Sequence, residues 1–179
     1  TKEKVESLFW AFYHLVIGDY EKKKEFSIKN DYCIKFIEDI KKENLLLKEN
    51  RITLHKLEEN LVYGKELNLD TLKILFLKNK KNVFYILNNK YYMFEGMEEN
   101  SFDCIVEKDG DIFIERNISK ERKEEISKSH FYVASTKKVI NSMSYYKLEE
   151  IKKISETLGI EFMDASNQKK KTKQQLYTE

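Results

Sequence analysis

The spacing of apolar residues changes between Phe76 and Val83, and that change constrains the fold more than any other feature. Before it, apolar residues recur every three or four positions, as one buried helix face requires. Val5, Leu8, Phe9, Phe12, Tyr13 and Val16 predict a helix over residues 4–17, ended by Gly18. Asn30 or Asp31 is expected to cap a second helix, with Cys33, Phe36, Ile37 and Ile40 on one face. Thr53 starts a third, carrying Leu54, Leu57 and Leu61 and stopping at Gly64, and Asp70 a fourth through Leu72, Leu75 and Phe76.

After Phe76 the period falls to two. Residues 83–87 and 90–94 flank Asn88-Asn89, a hairpin signal, because asparagine tolerates the positive φ of a tight turn. Residues 103–107 and 111–115 repeat the pattern around Lys108-Asp109-Gly110, with Cys104, Val106, Ile112 and Ile114 alternating with polar residues. A short charged helix near 119–127 and a strand near 130–134 follow. Helices first, a small antiparallel sheet second and helices last define an α+β class. A boundary near 141–144 divides an α+β domain, 1–143, from a C-terminal helix–loop–helix, 144–179.

Composition excludes several classes. The 179 residues suffice for one or two small domains. Lys and Arg total 33 against 31 Asp and Glu, a net charge of +2, so contact with nucleic acid must come from a local cluster. Arginine occurs only at Arg51, Arg116 and Arg122. Lysine supplies point charges suited to phosphate and lacks the fork that reads guanine, so backbone contact is expected over base reading. Cys33 and Cys104 do not make a disulfide framework, which points to an intracellular setting. No apolar run reaches about 18 residues, so no membrane span is expected. The absence of proline, with abundant Lys, Asn, Ile, Tyr and Phe, suggests an AT-rich genome. The chain stops at Glu179 as a helix is beginning, and it reads as a piece of a longer protein.

No motif carries catalysis, a metal or a cofactor. His14, His55 and His130 lack ligand spacing, and the five glycines form no phosphate loop. Glu58-Glu59, Glu98-Glu99 and Glu149-Glu150 diverge along their helices as solvated faces. Cys33 falls in the first turn of a predicted helix, where the dipole lowers a thiol pKa, but it also shares the apolar face. It reads as a small core residue, as does Cys104.

Ser7-Leu8-Phe9-Trp10-Ala11 resembles the Cys-Leu-Phe-x-Ala stretch that opens the catalytic helix of ovarian-tumour-type (OTU) deubiquitinases. Ser7 stands at the cysteine position, and Lys4-Val5 replaces the preceding Asp-Gly. The apolar helix 72–77 followed by strand 83–87 is in keeping with a papain-like core. The resemblance implies a degenerate, inactive cysteine-protease-like domain that binds a protein partner. More broadly, SLFWAFYHL, residues 69–92 and the lysine-rich tail are similar to proteins of large nucleocytoplasmic DNA viruses. This implies host cytoplasm, viral factory or virion as the setting, with other viral proteins as partners or a structural scaffold as the role.

The C-terminal segment offers the clearest lead. Ser144 is expected to cap a helix with Leu148, Ile151, Ile154 and Leu158 on one face, ended at Gly159. Thr172 opens a second helix with Leu176 and Tyr177 inward. Helix, Leu158-Gly159-Ile160 stop and lysine-bearing second helix are similar to a SAP module, with a longer linker over 161–168. SAP modules bind DNA through its backbone. The expected contacts are Lys152, Lys153, Lys169, Lys170, Lys171 and Lys173, a cluster able to neutralise a few phosphates. The expectation is a non-enzymatic module that contacts DNA or a virion component through these lysines.

Overall fold

In the computed structural model, which describes residues 2–97, 101–138, 140–166 and 168–179, the chain opens on a strand, β1 (Lys2–Val5). Val5 therefore belongs to the sheet, and the helix expected from residue 4 begins at Leu8. Four residues of Lys-Glu-Lys-Val are too few to display an alternation, and their partner lies about 110 positions away: Val5 faces Ile112. The Ser7 hydroxyl accepts from the Trp10 N–H at 3.4 Å and caps α1 (Leu8–Val16).

Helix α2 (Glu25–Lys42) starts a turn and a half before the expected caps Asn30 and Asp31, which lie exposed along its outer side. The core-facing stripe continues back through Tyr32 and Ile28, both packed against the core, and this packing carries the helix upstream. Helix α3 (Asn44–Glu49) follows and buries Leu47. Thr53 caps α4 (Leu54–Glu58) as expected, accepting from Lys56 N–H at 3.3 Å. The chain then widens into a π turn over Glu59–Tyr63 that ends at Gly64. A Cβ at Gly64 would lie 2.4 Å from the Asn60 carbonyl oxygen, so no larger residue fits that stop.

Asn68, not Asp70, caps α5 (Leu69–Lys78): its Oδ1 accepts from Thr71 N–H at 2.8 Å. Asp70 is the second residue of the helix, in its first turn, where it accepts from the Thr136 hydroxyl. Leu72, Ile74, Leu75 and Phe76 are all fully buried. Such burial exceeds one stripe because α5 lies between α1 and the sheet.

Both expected hairpins are present. β2 (Val83–Leu87) pairs with β3 (Lys90–Phe94) through a turn with Asn88 at φ 54°, and β4 (Asp103–Lys108) with β5 (Asp111–Glu115) through Asp109 and Gly110 at φ 54° and 81°. After α6 (Lys120–Ser129), capped by Ser119, comes a two-residue strand, β6 (Phe131–Tyr132). The strands form one sheet in the order β1-β5-β4-β2-β3-β6. The α+β class stands, with one correction. The sheet is mixed, because β2 lies parallel to β4 and β3 parallel to β6. Hairpin turns are written locally in the sequence, whereas the docking of one hairpin beside another depends on burying both faces together.

Both faces of the sheet are covered. Val83, Tyr85, Tyr92, Phe94, Ile105 and Ile114 join α1, α2 and α5 in the larger core. Phe84, Ile86, Tyr91 and Cys104 join Ile126 of α6 in a smaller one. Helices α7 (Leu148–Thr157) and α8 (Lys173–Thr178) pack on each other, with Ile151 and Leu176 buried outside both clusters. Ser144 does not cap α7, since it lies in a 3-10 turn over Met143–Tyr145. Lys147 stands at the cap position, and the Glu150 carboxylate three residues on accepts from its N–H at 2.6 Å. Thr172 caps α8, with Gln175 returning a hydrogen bond to its backbone N–H at 2.8 Å. Asn89 Nδ2 donates to Leu158 O at 3.1 Å and ties the β2–β3 turn to the end of α7.

Candidate nucleic-acid interface

Strand β6 is one edge of the sheet, opposite β1, and the surface beside it is concave. Two adjoining hollows of about 640 and 550 Å³ share Phe131, Tyr132 and Tyr146. The first runs between the end of α6 and α7, and the second between the segment after β6 and Arg51. Tyr132 is 42% exposed, and its ring centroid lies 5.1 Å from that of Tyr91, so a buried ring backs it. Tyr146 is fixed by its hydroxyl, which accepts from Asn141 N–H at 3.0 Å. The groove thus presents aromatic faces that are already oriented.

Its walls are basic. Arg51, Lys73, Lys128, Lys137, Lys138 and Lys153 line it, against Glu49 and Glu150. Two of these cations are already paired, Lys128 with Glu124 at 3.7 Å and Lys137 with Asp70 at 4.0 Å, so the surplus of the wall rests on Arg51, Lys73, Lys138 and Lys153. Glu150 is engaged at the start of α7, where its carboxylate holds the Lys147 N–H. His130 lines the same groove at the end of α6. Burial, the largest influence on it, lowers its pKa, and Arg122 lowers it further.

Of the six lysines expected to act together, only Lys153 lines this groove. Lys152, the next residue on α7, turns to Glu149 at 2.8 Å. Lys171 pairs with Glu179 at 2.6 Å and its side chain is only 12% exposed, so it is spent inside the module. Lys169 and Lys170 are exposed on the α7–α8 connection, where Lys170 bridges to Met163. Lys173 is half-buried at the start of α8. Sequence reasoning missed Arg51, Lys73, Lys128, Tyr132 and Tyr146, which reach the groove from separate segments. The Lys137-Lys138 and Tyr145-Tyr146 doublets were the local signals present.

The remaining candidates have structural employment. Cys33 lies in the middle of α2 rather than its first turn, because the helix begins at Glu25; burial raises its pKa, so the dipole argument for a reactive thiol falls. Burial likewise pushes Cys104 up to about 12. Among the described residues the Ser7 hydroxyl has one hydrogen-bond partner, the Trp10 N–H it caps. His55 is exposed on α4. Glu98-Glu99 lies outside the described residues. No helix among the described residues is long and apolar enough to cross a membrane.

No family model, curated protein or solved structure matches the chain, so its own geometry carries any functional reading.

Proposed function

We propose that this chain is a nucleic-acid-binding module that holds the phosphate backbone in the groove along β6. The observation that carries this reading is the coincidence of two features in one concave surface: six basic side chains and two oriented aromatic rings, those of Tyr132 and Tyr146. Lysine-rich walls neutralise phosphates without reading bases, and exposed rings stack on bases of any identity. Binding is therefore weak in sequence preference. Lys153 of the SAP-like segment takes part, and the α+β body supplies the other cations.

Fluorescence anisotropy with a labelled DNA oligonucleotide tests the assignment. Lys128→Glu combined with Lys153→Glu is expected to weaken binding at least tenfold. Lys170→Glu, which does not line the groove, is expected to change it less than threefold. The reverse order of effects would return the contact to the C-terminal lysines. Equal binding by all three proteins, or none by the wild type, would leave a protein partner as the better reading of this groove.

A further inference from the structure

We propose that Glu3, His14 and Asp19 form a binding site for a divalent transition cation, which pins β1 to the end of α1. The three residues come from different places. Glu3 lies on the edge strand, His14 in the last turn of α1, and Asp19 just beyond Gly18. Gly18, at φ 116°, reverses the chain there, a conformation other residues adopt only with strain.

Their ligand atoms lie within 4.8 Å of one another. His14 Nδ1 is 3.4 Å from Asp19 Oδ1 and 3.9 Å from Glu3 Oε1. Both distances exceed a normal N–H···O hydrogen bond. The His14–Asp19 separation matches that of ligands sharing a metal, since bonds of about 2.1 Å in tetrahedral geometry set ligand atoms roughly 3.4 Å apart, and the half-exposed Glu3 carboxylate has to move inward to join them. The second observation is independent of the acidic pair: His14 Nδ1 is buried and has no hydrogen-bond partner. A buried polar atom without a partner is rare and costly, and a cation on its lone pair would satisfy it.

The surroundings hold these groups in place. Arg116 Nη1 donates to Glu3 Oε2 at 2.7 Å, which leaves Oε1 for the site, and Nη2 donates to the His14 carbonyl at 3.2 Å. The imidazole lies against Tyr20, with centroids 5.3 Å apart, and Tyr20 stacks on Trp10 at 3.9 Å. Such outer contacts orient metal ligands. One nitrogen and two carboxylates suit Zn²⁺ or Mn²⁺ and leave a position for water. The nearby Arg116 charge makes the site weaker than a four-ligand structural centre.

Calorimetric titration and thermal unfolding with Zn²⁺ and with Mn²⁺ test this. One cation per chain is expected, and the melting temperature should rise by roughly 5–10 °C at a hundredfold excess over Kd. Asp19→Asn removes the shift while leaving the metal-free melting temperature unchanged, because the Asp19 side chain is 94% exposed. His14→Gln also removes it. The inference is overturned if neither cation gives a saturable shift, or if Asp19→Asn retains it.

Discussion

Arg122 joins α6 to the sheet. Its Nε and Nη2 donate to the two Glu115 oxygens at 3.2 and 3.0 Å, and Nη1 donates to Glu125 at 2.9 Å. The Glu115 side chain is only 13% exposed, so removing Arg122 leaves a largely dehydrated carboxylate with the longer 3.7 Å contact to Lys2. Arg122→Ala is expected to cost about 1–3 kcal/mol in urea unfolding. Arg122→Lys should recover only part of that, because an ammonium cannot bridge both oxygens and Glu125. His130 gives a pH signature. Its folded pKa lies below the ordinary 6.5 because burial disfavours the charged form. Above pH 6.5 the imidazole is neutral in both folded and unfolded chains and contributes nothing. As pH falls below 6.5 the unfolded chain takes the proton first, so stability drops until the folded pKa is passed and then levels off. Once protonated, His130 adds a charge to the groove. Oligonucleotide affinity should therefore rise from pH 7.5 to 5.5 beyond any rise in a His130→Gln variant; an equal rise in both would exclude His130.

At the scale of elements, the connections matter as much as the strands. Asn82 is buried just before β2, and its Oδ1 accepts from Gly96 N–H at 2.9 Å and Met97 N–H at 3.1 Å. This clamps the chain leaving β3 against the chain entering β2. A Cβ at Gly96 would meet the Lys81 nitrogen at 2.7 Å, so backbone and backbone touch there. Asn82→Ala is expected to destabilise by about 2–4 kcal/mol, since two backbone donors lose their partner, and hydrogen exchange should rise first at residues 94–97. The turn residues Asn88 and Asp109-Gly110 made both hairpins legible, because the positive φ is a local property. The parallel contact of β2 with β4 has no local code: it follows from burying Val83, Tyr85 and Ile105 on one face and Phe84 and Cys104 on the other. Helix caps were legible in part, since Ser144, the single candidate for α7, lies in a 3-10 turn before the helix. Thr53 and Thr172 cap as expected, whereas Asn68 caps α5 in place of Asp70, whose carboxylate accepts from the Thr136 hydroxyl.

The whole molecule is nearly neutral, with its positive charge unevenly placed. The lysine run 169–173 is what a sequence displays, yet Lys171 is consumed by Glu179, while Lys128, Lys137 and Lys138 meet Arg51 and Lys153 only after folding. The groove was therefore only partly visible beforehand, through Lys153. The most direct measurement is the affinity for a single-stranded DNA oligonucleotide as a function of salt concentration. Each neutralised phosphate contributes a slope of about −0.7 in log K against log salt on single strands. With some of the six groove cations engaged, the account predicts a slope of roughly −2 to −4, reduced by about 1 or more in the Lys128→Glu, Lys153→Glu variant. A slope near zero, or one unchanged by that variant, would contradict it.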